Sequence, residues 1–182
     1  VEMLSRIGHK HVSLGIVEDR YPIVHANLFA AIVEVLGEDV VTPEVAAAWD
    51  EVYWLMAKVL IDYERELYRS AGVADGGVFT TAEIISRKQL PAEAMEFTIR
   101  PDEMTEKFMD ALPGQYTSIG VRLPDGARQL RQYSLVDVDK ETGCIRIAVQ
   151  RDGEVSSFLM DSLSDGDRVD ATLPAGDLVL DD

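Results

Sequence analysis

Hydrophobic positions recur along this chain at two spacings, and the change falls near residue 75. Before it the step is three or four residues: Leu4, Ile7, His11 and Leu14 fall on one side of a helix. A second helix is predicted over 21–36, with Pro22 tolerated in its first turn and Gly37 as its stop. Thr42-Pro43-Glu44 predicts the start of a third: a capping hydroxyl, a proline at the first helical position, and a carboxylate near the positive end of the dipole. Its apolar stripe is Val45, Trp49, Val52, Met56, Val59, Tyr63 and Leu67, and Gly72 is its predicted stop.

After Asp75-Gly76-Gly77 the period becomes two. Strands are predicted over 78–90, 94–100, 116–123, 129–136, 145–150 and 168–173, with a short helix over 155–163. Turn signals separate them, among them Asp125-Gly126, Thr142-Gly143 and Asp152-Gly153. Short antiparallel strands with one helix make a small barrel. The expected architecture is α then β, with domains at 1–72 and 78–182, and no internal repeat or low-complexity tract interrupts it.

Composition narrows the function classes. An apolar share of 47% is ordinary for a globular chain. The net charge of -16 argues against nucleic acid and against anionic membrane surfaces, which both select clustered Lys and Arg. Cys144 is the one cysteine, so an internal disulfide and a cysteine-based metal cluster are excluded, and a reducing cytoplasm is the expected location. No apolar run reaches the ~18 residues of a membrane span. Val1 already sits in a helix pattern and the last residues sit in or just past a strand pattern, so both ends are expected to be internal to a longer protein.

Of the three histidines, His11 is the one on the apolar face of its helix; His9 lies about 200° round from it. A histidine so placed is ordinarily a packed core residue. Its functional reading is an axial haem ligand, because neutral imidazole binds iron once a partner fixes its other nitrogen.

The run Arg6-Ile7-Gly8-His9-Lys10-His11-Val12-Ser13-Leu14 resembles the proximal-helix signature of bacterial flavohaemoglobins, and Tyr21-Pro22-Ile23-Val24 resembles the start of the family's next helix. The third helix ends in Ile61-Asp62-Tyr63-Glu64-Arg65-Glu66-Leu67-Tyr68, where the family supplies a glutamate to the proximal histidine. The resemblance implies a triad of His11, Tyr21 and Glu66, with iron on His11, and it places Lys10 near haem and flavin. Helical geometry leaves the glutamate open, since Glu64 and Glu66 each lie about 80° from the stripe's centre, on opposite edges; the resemblance favours Glu66.

In the second half, Arg131-Gln132-Tyr133-Ser134-Leu135 resembles the Arg-x-Tyr-Ser signature of the ferredoxin-reductase type of FAD barrel. On a strand, Arg131 and Tyr133 share one face and Ser134 the other. The resemblance puts Arg131 on the pyrophosphate, Tyr133 against the flavin ring, Ser134 near its reactive edge, and Gln132 among the cofactor-binding residues. Leu112-Pro113-Gly114-Gln115-Tyr116 is similar to the family's preceding strand, whose tyrosine contacts FAD. Gly153-Glu154-Val155-Ser156-Ser157 opens a helix, and a helix N-terminus offers N–H groups and a positive dipole end to phosphate; the resemblance assigns Val155, Ser156 and Ser157 to that role. Pro174-Ala175-Gly176-Asp177 is similar to the loop that closes the barrel.

The resemblance covers nearly the whole chain and implies the C-terminal helices of a globin fold followed by a six-stranded antiparallel FAD barrel. The distal haem wall and the nicotinamide-binding domain are family parts without a counterpart here. The implied parent activity is that of a nitric oxide dioxygenase: NAD(P)H reduces FAD, FAD reduces haem b, and oxyferrous haem oxidises nitric oxide to nitrate. Oxygen and nitric oxide are then the partners. Two other readings stand beside it: a haem- or oxygen-binding globin module with an idle barrel, and an inert truncated remnant.

Overall fold

In the computed structural model, which describes residues 2–103, 105–112 and 114–177, helices lead into a closed barrel. Helix α1 (Glu2–Ser13) is followed by a single 3-10 turn (Glu18–Arg20), α2 (Tyr21–Leu36) and α3 (Pro43–Ser70). The stop and start signals act where expected. Gly37 ends α2 at φ +82°, a left-handed backbone that suits glycine, and the Thr42 hydroxyl accepts the Val45 N–H at 3.4 Å to open α3. The 3-10 turn carries no hydrophobic period and was not foreseen.

The strands are β1 (Phe79–Leu90), β2 (Ala94–Pro101), β3 (Tyr116–Arg122), β4 (Arg128–Asp139), β5 (Cys144–Gln150) and β6 (Arg168–Thr172). Helix α4 (Thr105–Met109), too short to show a period, lies before β3, and α5 (Glu154–Ser162) lies before β6. All pairings are antiparallel, and the barrel closes in the order β1-β2-β5-β4-β3-β6. Alternate residues point inward and are buried: Ala82 and Ile84, Phe97 and Ile99, Ile119 and Val121, Ile145, Ile147 and Val149, Val169 and Ala171. Val155 and Leu159 bring α5 into the same core.

The helices seat on this barrel. Val12 of α1 and Tyr68 of α3 join the barrel core, and the Tyr68 hydroxyl donates to the Ile16 carbonyl at 2.7 Å. Lys107 of α4 donates to the Ala71 carbonyl just past α3 at 2.5 Å. A smaller core of Tyr21, Ala57, Leu60 and Ile61 lies between the helices.

The buried face of α3 is not the predicted one. The face of α3 that becomes buried is Ala57, Leu60, Ile61, Glu64 and Tyr68, whereas Val45, Trp49, Val52, Met56 and Val59 of the predicted stripe stay exposed, Trp49 to 54%. The two faces are about 100° apart around the helix. Helix α3 is apolar on both, and α1 with the barrel covers only the second.

Candidate functional site

Two recesses contain the chemistry-bearing residues. The first is an apolar hollow of about 510 Å³ between α1, the 3-10 turn, α2 and α3, lined by Ile7, Lys10, His11, Leu14, Ile16, Arg20, Tyr21, Val24, Tyr53 and Leu60. His11 reaches it from the last turn of α1. Its Nδ1 lies 2.7 Å from Glu64 Oε1 and 3.3 Å from the Tyr21 hydroxyl, and that hydroxyl donates to the same Glu64 oxygen at 2.7 Å. Glu64 is 2% exposed. A carboxylate buried to this degree is tolerated because both of its partners donate to it. Burial first, then the hydrogen bond to Glu64 and that group's charge, pushes the Tyr21 phenol well above the usual tyrosine range, so it remains a donor.

Glu66, expected in this triad, is not there. It lies on the outer side of α3, paired with Arg69 and accepting from Ser70. Residues 64 and 66 are about 200° apart on a helix, and the face that packs against α1 is the one carrying Glu64 with Leu60, Ile61 and Tyr68.

The second recess is a cleft of about 640 Å³ between β4 and the start of α5, bordered by Arg131, Gln132, Tyr133, Ser134, Val136, Ala148, Gln150, Arg151, Asp152, Gly153, Glu154, Val155 and Ser156. Four successive β4 residues therefore meet the helix N-terminus across one space. Burial pushes the Tyr133 phenol up to about 12, with Arg131 pulling the other way. The Arg131 guanidinium is exposed and donates to the Leu130 carbonyl at 2.8 Å and to Gln129 Oε1 at 3.1 Å. Gly153 takes φ +118° and, having no side chain, leaves the first turn of α5 open to the cleft. The Ser156 hydroxyl accepts from the Asp152 N–H at 2.8 Å and donates to the Gly153 carbonyl at 3.1 Å, bracing the entry to the helix.

The remaining predicted residues divide. Lys10 borders the hollow beside His11. Ser157 does not border the cleft; its N–H makes an ordinary helical bond to Gly153. Tyr116 also lies off the cleft, bridged to Ala175 and packed against Gly176. Pro113 of its motif is outside the described residues. Gln150, Arg151 and Asp152 on the opposite cleft wall were not foreseen; Gln150 ends β5 and the other two follow it, and the β4–β5 pairing brings them across.

Residues 81–179 match the family described as Oxidoreductase FAD-binding domain. The chain is 38% identical over 184 residues to a flavohemoprotein of Bacillus subtilis (strain 168), covering 100% of this chain and 45% of the relative. A flavohemoprotein of Pseudomonas putida (strain KT2440) is 41% identical over 186 residues, covering 98% of this chain and 46% of the relative. The chain thus spans about half the length of the curated relatives it matches. Among solved structures, a flavohemoglobin from Malassezia yamatoensis with bound FAD and heme superposes with a TM-score of 0.81 at 37% identity, over 98% of this chain and 45% of that one. No helix among the described residues is long and apolar enough to cross a membrane.

Proposed function

We propose, of a chain that belongs to the Oxidoreductase FAD-binding domain family, that it is the central part of an NAD(P)H-dependent nitric oxide dioxygenase acting in the cytoplasm, with FAD in the cleft between β4 and α5 and haem b on His11. Helices α1 to α3 then form the C-terminal part of a globin fold over 1–72, and 78–182 is the flavin barrel. The observation that carries the haem half is the buried Glu64 carboxylate shared by His11 and Tyr21. What carries the flavin half is the match of 81–179 to the family.

The residues present fit both groups. A flat apolar macrocycle needs an apolar wall and one basic nitrogen, and the hollow offers Ile7, Leu14, Ile16, Val24 and Leu60 around His11. A dinucleotide needs an aromatic surface and a place for phosphate, and the cleft offers Tyr133, Arg131 and the open first turn of α5. When bound, these groups supply the electron transfer and oxygen chemistry that convert nitric oxide and oxygen to nitrate.

The chain's own part is to hold and tune. With Nδ1 engaged by Glu64, the imidazole is fixed in the tautomer that leaves Nε2 free as a ligand, and the carboxylate makes that ligand more basic. Tyr21, kept protonated, fixes the carboxylate. The apolar lining offers the ligand's side few competing polar groups.

Anaerobic photoreduction of the FAD- and hemin-loaded chain tests this reading. Flavin bleaching is expected to be followed by conversion of the haem spectrum to its ferrous form. Haem that stays ferric beside fully reduced flavin would sink the proposal.

A further inference from the structure

Helix α1 turns one face to the hollow and the opposite face to the barrel. His11 and Ser13 are about 200° apart on it, so that while His11 borders the hollow, Ser13 is pressed against the barrel and is 1% exposed. The Ser13 hydroxyl is fully engaged. It donates to the Lys10 carbonyl at 2.8 Å and accepts from Gln132 Nε2 at 3.1 Å. Gln132 belongs to the β4 stretch that borders the cleft.

Gln132 has another hydroxyl beside it. Ser118 is its registered partner on β3, and the Ser118 Oγ is buried without a hydrogen-bond partner. An amide serving only the barrel would satisfy that hydroxyl. Instead, it reaches to the helix that carries His11. Leaving a buried hydroxyl unpaired has a free-energy cost, so the choice points to the helix contact as the one the fold maintains.

We propose that Ser13 is a positioning residue of the flavin cleft, holding the Gln132 amide in place from the helix that also carries His11. This inference rests on the cleft being the FAD site. The amide's orientation sets what it presents to the cleft, so a change at Ser13, on a different element, is transmitted to bound flavin. Any ligand that shifts the last turn of α1 is felt at the cleft by the same route, and by reciprocity flavin is felt at α1.

The test is FAD titration of the full chain, with the visible flavin spectrum and midpoint potential recorded for each variant. Ser13→Ala is expected to weaken FAD binding about five- to tenfold, the effect of one hydrogen bond, and to shift the flavin band and potential. Ser13→Thr, which keeps the hydroxyl, is expected to stay within about twofold of the original chain on all three readouts. Gln132→Met removes the other partner and covers the case where Ser13→Ala does not fold. Its loss should be at least that of Ser13→Ala, and the double variant should be no weaker than Gln132→Met alone.

Unchanged affinity and potential in Ser13→Ala would overturn the inference. So would equal losses in the Ala and Thr variants, which would mark a packing role, or additive losses in the double variant. FAD that fails to bind the unsubstituted chain would instead overturn the cleft assignment, and the inference with it.

Discussion

The cleft is bordered by two short stretches, 131–136 and 148–156, both anchored on a barrel whose strands hydrogen bond all the way round. The hollow beside His11 draws on α1, the 3-10 turn, α2 and α3, and its wall rests on a core of four buried residues. On the barrel, neighbouring residues in sequence are neighbours in the site, and the ladder fixes their spacing. In the helical part the decisive atoms, His11 Nδ1, the Tyr21 hydroxyl and Glu64 Oε1, come from three helices and are held together by their own hydrogen bonds. A site on a closed sheet inherits its geometry; a site between helices has to maintain it. The large apolar side chains left exposed on α2 and α3, among them Leu28, Trp49 and Leu55, show how much less of the helical part is self-contained.

That contrast can be broken most directly at the proposed iron ligand, His11. His11→Ala is expected to abolish the haem Soret band in a hemin titration while the flavin band persists; a normal Soret band would place the iron elsewhere. Arg131→Ala combined with Tyr133→Ala should remove bound flavin, a loss of about a hundredfold or more in FAD affinity if the guanidinium–phosphate bonds and ring stacking are both made. Affinity unchanged in that variant would displace FAD from the cleft.

A finer cut separates the two glutamates. Glu64→Ala leaves the buried Tyr21 hydroxyl without its acceptor and is expected to destabilise the chain by about 1–3 kcal/mol in a denaturant melt. Glu66→Ala, on the outer surface, should stay within about 0.5 kcal/mol. Equal effects would contradict the packing of α3 described above.

The smallest expected effect concerns His9, which joins α1 to the barrel's closing loop. Its Nδ1 accepts the Gly176 N–H at 3.4 Å, and its Nε2 lies 3.4 Å from the Tyr63 hydroxyl. Burial holds its pKa below the ordinary 6.5, with Asp177 partly opposing the shift. As pH falls through about 6.5 the unfolded chain takes up the proton first, so the stability tied to neutral His9 is present above that pH and lost towards the depressed folded value. The melting temperature should therefore fall more steeply below pH ~6.5 in the original chain than in His9→Gln. Parallel slopes would remove His9 from the account.

The barrel was legible because its apolar residues recur at a period near two and glycine turns such as Asp125-Gly126 and Thr142-Gly143 separate its strands. Its closure was less so, because nothing local says that β2 pairs with β5 and β1 with β6. The third helix was legible as a helix and misleading as a surface. A stripe from Val45 to Leu67 is a sound period, but a second face from Ala57 to Tyr68 is also apolar, and periodicity cannot say which one finds a partner. Periodicity also left Glu64 and Glu66 open, and the resemblance favoured Glu66; the glutamate that reaches His11 is set by the face packed against α1, a tertiary fact. Ser13 and Gln132 stood inside recognisable motifs, yet their hydrogen bond spans 119 positions and has no local signal.

The most direct measurement is the ultraviolet-visible spectrum of the purified chain after addition of hemin and FAD and removal of unbound cofactor. The account predicts a Soret band together with a flavin band near ~450 nm, a property of the cofactor itself. A spectrum lacking both would contradict it.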